Sequence, residues 1–190
     1  MHEADRRVEA AFEAVRREDF LTADQRSNAA LDRALPIGYQ QTNSQPRTVS
    51  NMLVLLDVRT GQRVLDVGSG SGWTTALLGT LVGPDGAVHG VELVPELVAW
   101  SRENLRAYAM PWTRIHQASE DELGLAAEGP FDRILVSAEA SELPQSLVDQ
   151  LADGGLMVVP VAGRLLSVER GPGGDVTVHR HGHYAFVPLR

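Results

Sequence analysis

The chain has 190 residues, a net charge of −8 at neutral pH and no cysteine. This length suits one domain, the acidic balance disfavours nucleic acid as a partner, and the lack of cysteine excludes disulfides and thiolate metal sites. The charged stretch 1–19 has no apolar signal core, and no apolar run approaches the ~20 residues that span a bilayer. We therefore expect a cytoplasmic protein with no membrane contact.

The N-terminal part is predicted to be helical, with one long irregular segment. Residues Glu3–Asp19 carry apolar side chains at helical spacing. The polar segment Thr22–Gln45 shows no periodicity, and irregular segments of this length are usually functional or disordered. A second helix is predicted from Pro46 to about Val58, because proline is accepted in the first helical turn.

Beyond residue 60, apolar runs of strand type alternate with helical segments. The predicted strands are Arg63–Val67, Ala87–Leu93, Arg114–Gln117, Phe131–Ser137 and Leu156–Val161. The predicted helices are Thr74–Leu81, Pro95–Ala107 and Leu143–Leu151, the last ended by Asp153-Gly154-Gly155. The runs Leu165–Arg170 and Val176–His179 flank a glycine-rich turn and predict a closing hairpin.

This order predicts an α/β fold with a Rossmann-like, doubly wound, mostly parallel sheet. The closing hairpin adds an antiparallel C-terminal edge, and the first helices form an N-terminal helical cap. We expect one domain, in which residues 1–60 form the cap and a substrate loop and residues 61–190 form a cofactor-binding core.

The turn after the first predicted strand of this core carries the most specific pattern. Asp66 ends the strand, Gly68, Gly70 and Gly72 follow, and Glu92 lies near the end of the next strand. Glycine lets a ligand approach the backbone closely, and the helix that follows offers free N–H groups. An acidic residue at the second strand's end can accept hydrogen bonds from ribose hydroxyls. Together these residues predict a nucleoside-cofactor site. The alternative is a purely structural turn, in which the glycines bind no ligand.

The spacing also favours one nucleoside over another. The dinucleotide fingerprint G-x-G-x-x-G needs a third glycine where this chain has Trp73. This disfavours a nicotinamide-dependent oxidoreductase. S-adenosylmethionine has no pyrophosphate, and its ammonium group can pair with an acid such as Asp66.

The order of these segments resembles the protein-L-isoaspartate (D-aspartate) O-methyltransferases, class I enzymes that use S-adenosylmethionine. The resemblance covers nearly the whole chain. Leu35–Pro46 is similar to the family's signature loop and is the most specific match, although Asn43 stands where the family usually has an apolar residue. Val64–Trp73, Val91–Leu97 and Phe186–Leu189 are similar to the cofactor turn, the ribose-binding strand end and the closing residues.

The resemblance implies a role for each of several residues. Ser44 and Thr42 are expected to orient the acceptor carboxylate, although either could instead cap the helix that begins near Pro46. The expected cofactor-binding residues are Asp66, Gly68, Ser69, Gly70, Gly72, Glu92, Leu93 and, by ungapped spacing, Glu120. A gapped alignment would place Ala118 at the position of Glu120 instead. The expected substrate-binding residues are Ile37, Gln40, Gln41 and Asn43.

The implied reaction is methyl esterification of an isoaspartyl or D-aspartyl carboxylate in a protein or peptide, which leads through a succinimide to repair. The alternatives are esterification of a normal aspartate in peptide tailoring, another acceptor such as RNA or a small acid, and a protein that binds the nucleoside without turnover. We expect a monomer without a metal. His179, His181 and His183 alternate along a strand, but a solvent-facing strand explains them as well as a metal site does.

Overall fold

The computed structural model describes residues 3–119 and 121–189 of the chain. A two-stranded hairpin and a seven-stranded sheet hold its strands. The hairpin consists of β1 (Leu35–Gly38) and β2 (Gln41–Asn43). The large sheet consists of β3 (Arg63–Val67), β4 (Ala87–Glu92), β5 (Thr113–Gln117), β6 (Phe131–Val136), β7 (Leu151–Val161), β8 (Arg164–Arg170) and β9 (Val176–His183).

Five α-helices accompany these strands in the described residues. They are α1 (Glu3–Ala14), α2 (Pro46–Leu56), α3 (Trp73–Val82), α4 (Pro95–Arg106) and α5 (Gln145–Val148). Short 3₁₀ turns cover Arg17–Phe20, Arg26–Asn28 and Ala126–Glu128. None of the described helices is long and apolar enough to cross a membrane.

The large sheet has the order β5-β4-β3-β6-β7-β8-β9. Strands β5, β4, β3, β6 and β7 are parallel, whereas β8 and β9 are antiparallel to their neighbours. Neighbouring residues of β3 point to opposite faces: Val64 joins the core beneath α1, α2 and α3, and Leu65 joins the core beneath α5. The predicted mostly parallel α/β fold with an antiparallel C-terminal edge and N-terminal helices is confirmed.

The prediction of an irregular loop over Thr22–Gln45 is wrong from Leu35 onwards, where β1 and β2 pair as an antiparallel hairpin. The turn between them places Tyr39 (φ 53°) and Gln40 (φ 60°) in the left-handed region. Two such residues are what a tight two-residue hairpin turn requires. Neither is glycine, asparagine or aspartate, so the only typical turn residue here is Gly38, which precedes them with a φ of 88°.

The predicted helix Leu143–Leu151 is shorter in the structure, where α5 covers Gln145–Val148 and β7 already begins at Leu151. The glycine pair that was predicted to end the helix lies inside β7. Gly154 has a φ of 78°, and the pairing of β7 with β6 shifts register across this stretch. The glycines therefore lie in an irregular β-bulge, in which β7 has three more residues than β6 between the pairs Phe131–Leu151 and Arg133–Leu156.

Gly90, in the middle of β4, allows the neighbouring elements to pack closely. A Cβ atom added there would lie 2.5 Å from Ile115 Cδ1 and 2.9 Å from Thr75 Oγ1. It would also lie 3.1 Å from the Cβ of Ser69, in the glycine-rich turn. The turn can lie against β4 only because this position has no side chain.

We expect Gly90→Ala to lower the free energy of unfolding by roughly 1–3 kcal/mol, because overpacking a filled core costs that much. Urea unfolding followed by circular dichroism measures the change. Gly182→Ala is the matched control: its added Cβ would meet nothing closer than Tyr184 Cε2 at 3.4 Å, on the exposed strand β9. Equal losses in the two variants would contradict the packing argument.

Candidate active site

The glycine-rich turn lies along the end of β4. The backbone N–H groups of Gly68 and Ser69 both donate to Val91 O, at 2.9 and 3.1 Å. The N–H of Gly70 donates to Glu92 Oε2 at 2.8 Å, and Val94 N–H donates to Glu92 Oε1 at 3.0 Å. The Glu92 carboxylate is therefore fixed by two backbone donors at the carboxyl edge of the sheet.

A cavity of about 970 Å³ opens at this edge. Most of the predicted site residues lie on its wall. They are Gln41, Thr42, Asn43, Ser44, Gly68, Ser69, Gly70, Glu92 and Leu93. The hairpin, the turn and the end of β4 are thus brought together around one space, although they are separated in the sequence.

The wall of this cavity is acidic. Five carboxylate side chains line it, and among the described lining residues there is no lysine, arginine or histidine. The carboxylates are Glu92, Asp121, Glu122, Glu142 and Asp149. The cavity therefore suits a cationic ligand, and it would repel the phosphates of a dinucleotide.

Asp66 does not reach the cavity wall. It is fully buried, and its Oδ2 accepts hydrogen bonds from the hydroxyls of Thr74 and Thr75, each at 2.7 Å. Its Oδ1 is buried and has no partner in the described part of the chain. Asp66 is thus not among the residues that line the cavity, and its expected pairing with a ligand's ammonium group stays a prediction.

Gly72 is also away from the cavity wall. It has a φ of 90° and stands just before α3, and its added Cβ would lie 3.1 Å from the Cβ of Ser101 on α4. Its lack of a side chain serves the packing of two helices and a left-handed backbone. The expected contact of Gly72 with the cofactor stays a prediction.

The helix-capping alternative for Ser44 and Thr42 is not what the structure has. The residue before α2 is Gln45, which makes no capping bond through its side chain, and Asp32 Oδ1 accepts the N–H of Arg47 at 2.9 Å instead. Within residues 3–119 and 121–189, the hydroxyls of Ser44 and Thr42 have no hydrogen-bond partner. Both side chains are therefore available to a ligand.

The four predicted substrate-binding residues divide into two pairs. Gln41 and Asn43 lie on the cavity wall, whereas Ile37 and Gln40 do not. Ile37 is 2% exposed and packs with Leu35, so its expected contact with substrate stays a prediction. Gln40 is exposed at the hairpin tip, outside the cavity. Glu120 lies outside the described residues.

Ser137 and the C-terminal segment around Val187 lie at the site, although neither was predicted there. Ser137 follows β6 at the same edge of the sheet and lines the large cavity and a smaller one of about 310 Å³. Thr42, Ser44 and Val187 are likewise shared by both cavities. The segment around Val187 is held by the N–H of Glu139, which donates to Val187 O at 2.8 Å. That ligands bind at the carboxyl ends of parallel strands could have pointed to Ser137.

The described residues, those of the cavity included, contain no cluster of three or more side chains suited to a metal ion. The ring of His181 shares a hydrogen bond of 2.9 Å with the hydroxyl of Ser167, and His179 and His183 lie exposed on β9. These histidines therefore belong to the surface of the sheet.

Burial raises the pKa of Asp66 to about 6, against the effect of the two threonine hydroxyls. Because this value lies above the ordinary 3.8, the folded chain binds a proton more readily than the unfolded chain, and the group's contribution to stability increases as the pH falls through this window. Relative to Asp66→Asn, which cannot titrate, we expect the parent chain to gain roughly 2–3 kcal/mol between pH 8 and pH 4. Urea midpoints of both proteins across this range measure the gain. A difference that does not vary with pH would contradict it.

Comparison with known proteins agrees with this geometry. The family model for protein-L-isoaspartate(D-aspartate) O-methyltransferase matches residues 2–190. A protein-L-isoaspartate O-methyltransferase of Methanopyrus kandleri is 43% identical over 187 residues, which are 96% of this chain and 83% of that protein. The enzyme of the same name from Methanococcoides burtonii is 41% identical, over 97% of this chain and 92% of that protein.

Solved structures give the same result. A Plasmodium falciparum protein described as a protein-L-isoaspartate O-methyltransferase, in complex with S-adenosyl-L-homocysteine, superposes with a TM-score of 0.83 at 26% identity. The superposition covers 100% of this chain and 92% of that one. With the family model, the relatives and the fold in agreement, this chain belongs to the protein-L-isoaspartate(D-aspartate) O-methyltransferase family.

Proposed function

We propose that this chain transfers a methyl group from S-adenosylmethionine to the side-chain carboxylate of isoaspartyl or D-aspartyl residues in proteins and peptides. The observation that carries the proposal is that the Glu92 carboxylate and the free hydroxyls of Thr42 and Ser44 lie on the wall of one cavity. Family membership supplies the class of acceptor.

The residues of the cavity fit S-adenosylmethionine. Glu92 is fixed with lone pairs available to ribose hydroxyls. Gly68 and Gly70 leave backbone exposed on the wall, and the five carboxylates favour a ligand that carries a sulfonium and an ammonium group. When bound, S-adenosylmethionine supplies an electrophilic methyl group. We propose that Gly68, Ser69, Gly70, Glu92 and Leu93 hold it.

The chain's own contribution to the reaction is positioning. An acceptor carboxylate has a pKa near ~4 and is ionised at neutral pH, so no general base is needed. We propose that Ser44 and Thr42 donate hydrogen bonds to this carboxylate and fix its direction of approach, while Gln41 and Asn43 border the place where the peptide lies. Holding the reacting groups in line can contribute roughly 7–11 kcal/mol.

The smaller cavity supports a route for the acceptor. It shares Thr42 and Ser44 with the large cavity, so a peptide carboxylate entering from one side would meet the donor held on the other.

The methyl ester formed would lose methanol as the following backbone nitrogen closes a succinimide. Water then opens the ring, in part to normal aspartate.

A normal aspartate remains the alternative acceptor, since it presents the same carboxylate on a different backbone. Asn43, an amide where the family usually has an apolar residue, is the feature that keeps this alternative open.

A monomeric state and a cytoplasmic location stay predictions of the sequence, and gel filtration tests the monomeric state. The division into a cap and loop (1–60) and a core (61–190) likewise remains our proposal.

The test is transfer of labelled methyl from S-adenosylmethionine to an isoaspartyl peptide, with the aspartyl peptide of the same sequence as control. We expect ester formation on the isoaspartyl peptide alone. Methylation of the aspartyl peptide alone would support tailoring instead. Calorimetric titration with S-adenosylmethionine and with NAD separately tests the cofactor, and tighter binding of NAD would overturn the assignment.

Ser44→Ala should lower kcat for the isoaspartyl peptide about 100-fold and change the Kd for S-adenosylmethionine less than threefold, because one positioned hydrogen-bond donor is typically worth that factor in rate. Steady-state kinetics and titration calorimetry measure the two quantities. Ser50→Ala, on α2 and outside both cavities, is the matched control. Equal losses of turnover and donor affinity would argue against the orienting role.

A further inference from the structure

Arg17 is a buried cation that the proposed reaction does not use. It lies in the 3₁₀ turn after α1 and is 7% exposed. Its Nε donates to Asn43 Oδ1 at 2.8 Å, and its Nη2 donates to Ser44 O at 2.8 Å and, less closely, to Asn43 O at 3.3 Å. One guanidinium thus holds the end of β2 through three oxygens, two of them on the backbone.

The remaining donors of Arg17 hold the segment that leads to the hairpin. Nη1 donates to the carbonyls of Ala29 and Leu31, at 3.2 and 2.9 Å, and Nη2 also donates to the carbonyl of Arg33 at 2.8 Å. The five N–H groups of a guanidinium form a planar fork. Because Arg17 uses this fork on both sides, it fixes the segment 29–33 relative to Ser44.

The same guanidinium also contacts a residue at the start of α3 that lines the cavity. It lies over the ring of Trp73, the first residue of α3, at 5.3 Å from the ring centroid. Asn43, whose Oδ1 accepts from Arg17, directs its Nδ2 to the hydroxyl of Ser71 at 3.4 Å. Ser71 is in turn held by the side chain of Asn104, which donates to its carbonyl at 3.0 Å. Arg17 therefore connects β2, which carries Thr42, to the glycine-rich turn.

We propose that Arg17 is a positioning residue, which sets the Ser44 end of β2 at a fixed place over the glycine-rich turn through Asn43, the Ser44 carbonyl and Trp73. This inference rests on the proposed function, since it assigns Ser44 an orienting role. Arg17 lines neither cavity, so it acts through these neighbours and not by touching the reactants.

Only arginine can do this at position 17. Burial lowers the pKa of Arg17 to about 10, so the group stays charged at neutral pH. Lysine would keep a charge but offers three donors on one atom, and cannot serve oxygens on opposite sides of a planar fork. Methionine would fill the space and leave the carbonyls of residues 29, 31, 33 and 44 without this donor.

A merely structural role is the competing explanation, and Arg7 provides its control. Arg7 is also partly buried, and it donates to Val58 O at 2.5 Å and to Asp57 Oδ1 at 2.7 Å. These partners follow α2, and Arg7 lines neither cavity. Arg7→Lys therefore removes guanidinium hydrogen bonds of a similar kind away from the site.

The experiment compares Arg17→Lys and Arg7→Lys in the full chain, at a temperature at which thermal unfolding shows both to be folded. For Arg17→Lys we expect kcat for the isoaspartyl peptide to fall at least 20-fold, the KM for the peptide to rise, and the Kd for S-adenosylmethionine to change less than threefold. Hydrogen exchange of the free enzyme should accelerate in residues 29–45. For Arg7→Lys we expect kcat and this exchange to stay within twofold of the parent, whatever its loss of Tm.

Asn43→Leu is the second variant, for the case that Arg17→Lys does not fold. It removes the Asn43 link and should give a smaller fall in kcat with unchanged donor affinity. The inference is overturned if folded Arg17→Lys keeps kcat within twofold, or if both lysine variants lose activity in proportion to their Tm. If the parent chain does not methylate the peptide, the proposed function fails, whereas the exchange of residues 29–45 in the free enzyme still tests the anchoring.

Discussion

The site depends on the contact between the glycine-rich turn and the end of β4. Two backbone donors of the turn share the carbonyl of Val91, and a third holds the carboxylate of Glu92. This path needs left-handed backbone at Gly68 and Gly70, with φ values of 76° and 54°. Because the donors are backbone groups, Glu92 is oriented before any ligand binds. Preorganisation of this kind reduces the ordering that binding would otherwise require.

The acceptor side is attached to this frame by a different kind of interaction. The hairpin is short, and its own pairing is too limited to be stable alone. The buried Arg17 supplies the additional hydrogen bonds, because its guanidinium donates to backbone carbonyls that precede and follow the hairpin. Capping of α2 is left to Asp32. This matters for the proposed reaction, because a serine or threonine hydroxyl that capped α2 could not bind the acceptor carboxylate.

The sequence could predict what local pattern determines. The alternation of strands and helices, the glycine turn and the acid at the end of β4 all follow from residue spacing, and the structure has them in the expected order, although α5 is shorter and β7 longer than predicted. The hairpin could not be predicted, because its left-handed turn uses Tyr39 and Gln40. The positions of Asp66 and Gly72 depend on how α3 and α4 pack, and this information is spread over distant residues. Spacing places a residue at a turn but does not say whether a helix covers it.

Asn43 shows how such distant packing changes the meaning of one residue. As a polar residue in a signature loop it was expected to bind substrate. It lies on the cavity wall but is only 4% exposed, and its amide also connects Arg17 with Ser71. A buried amide requires partners for its oxygen and its nitrogen, so it fixes direction as well as distance. An apolar residue there would fill the same space without joining the two sides of the cavity. The Asn43 amide therefore connects β2 to the glycine-rich turn by directed hydrogen bonds. Packing alone would only bring these two elements close together.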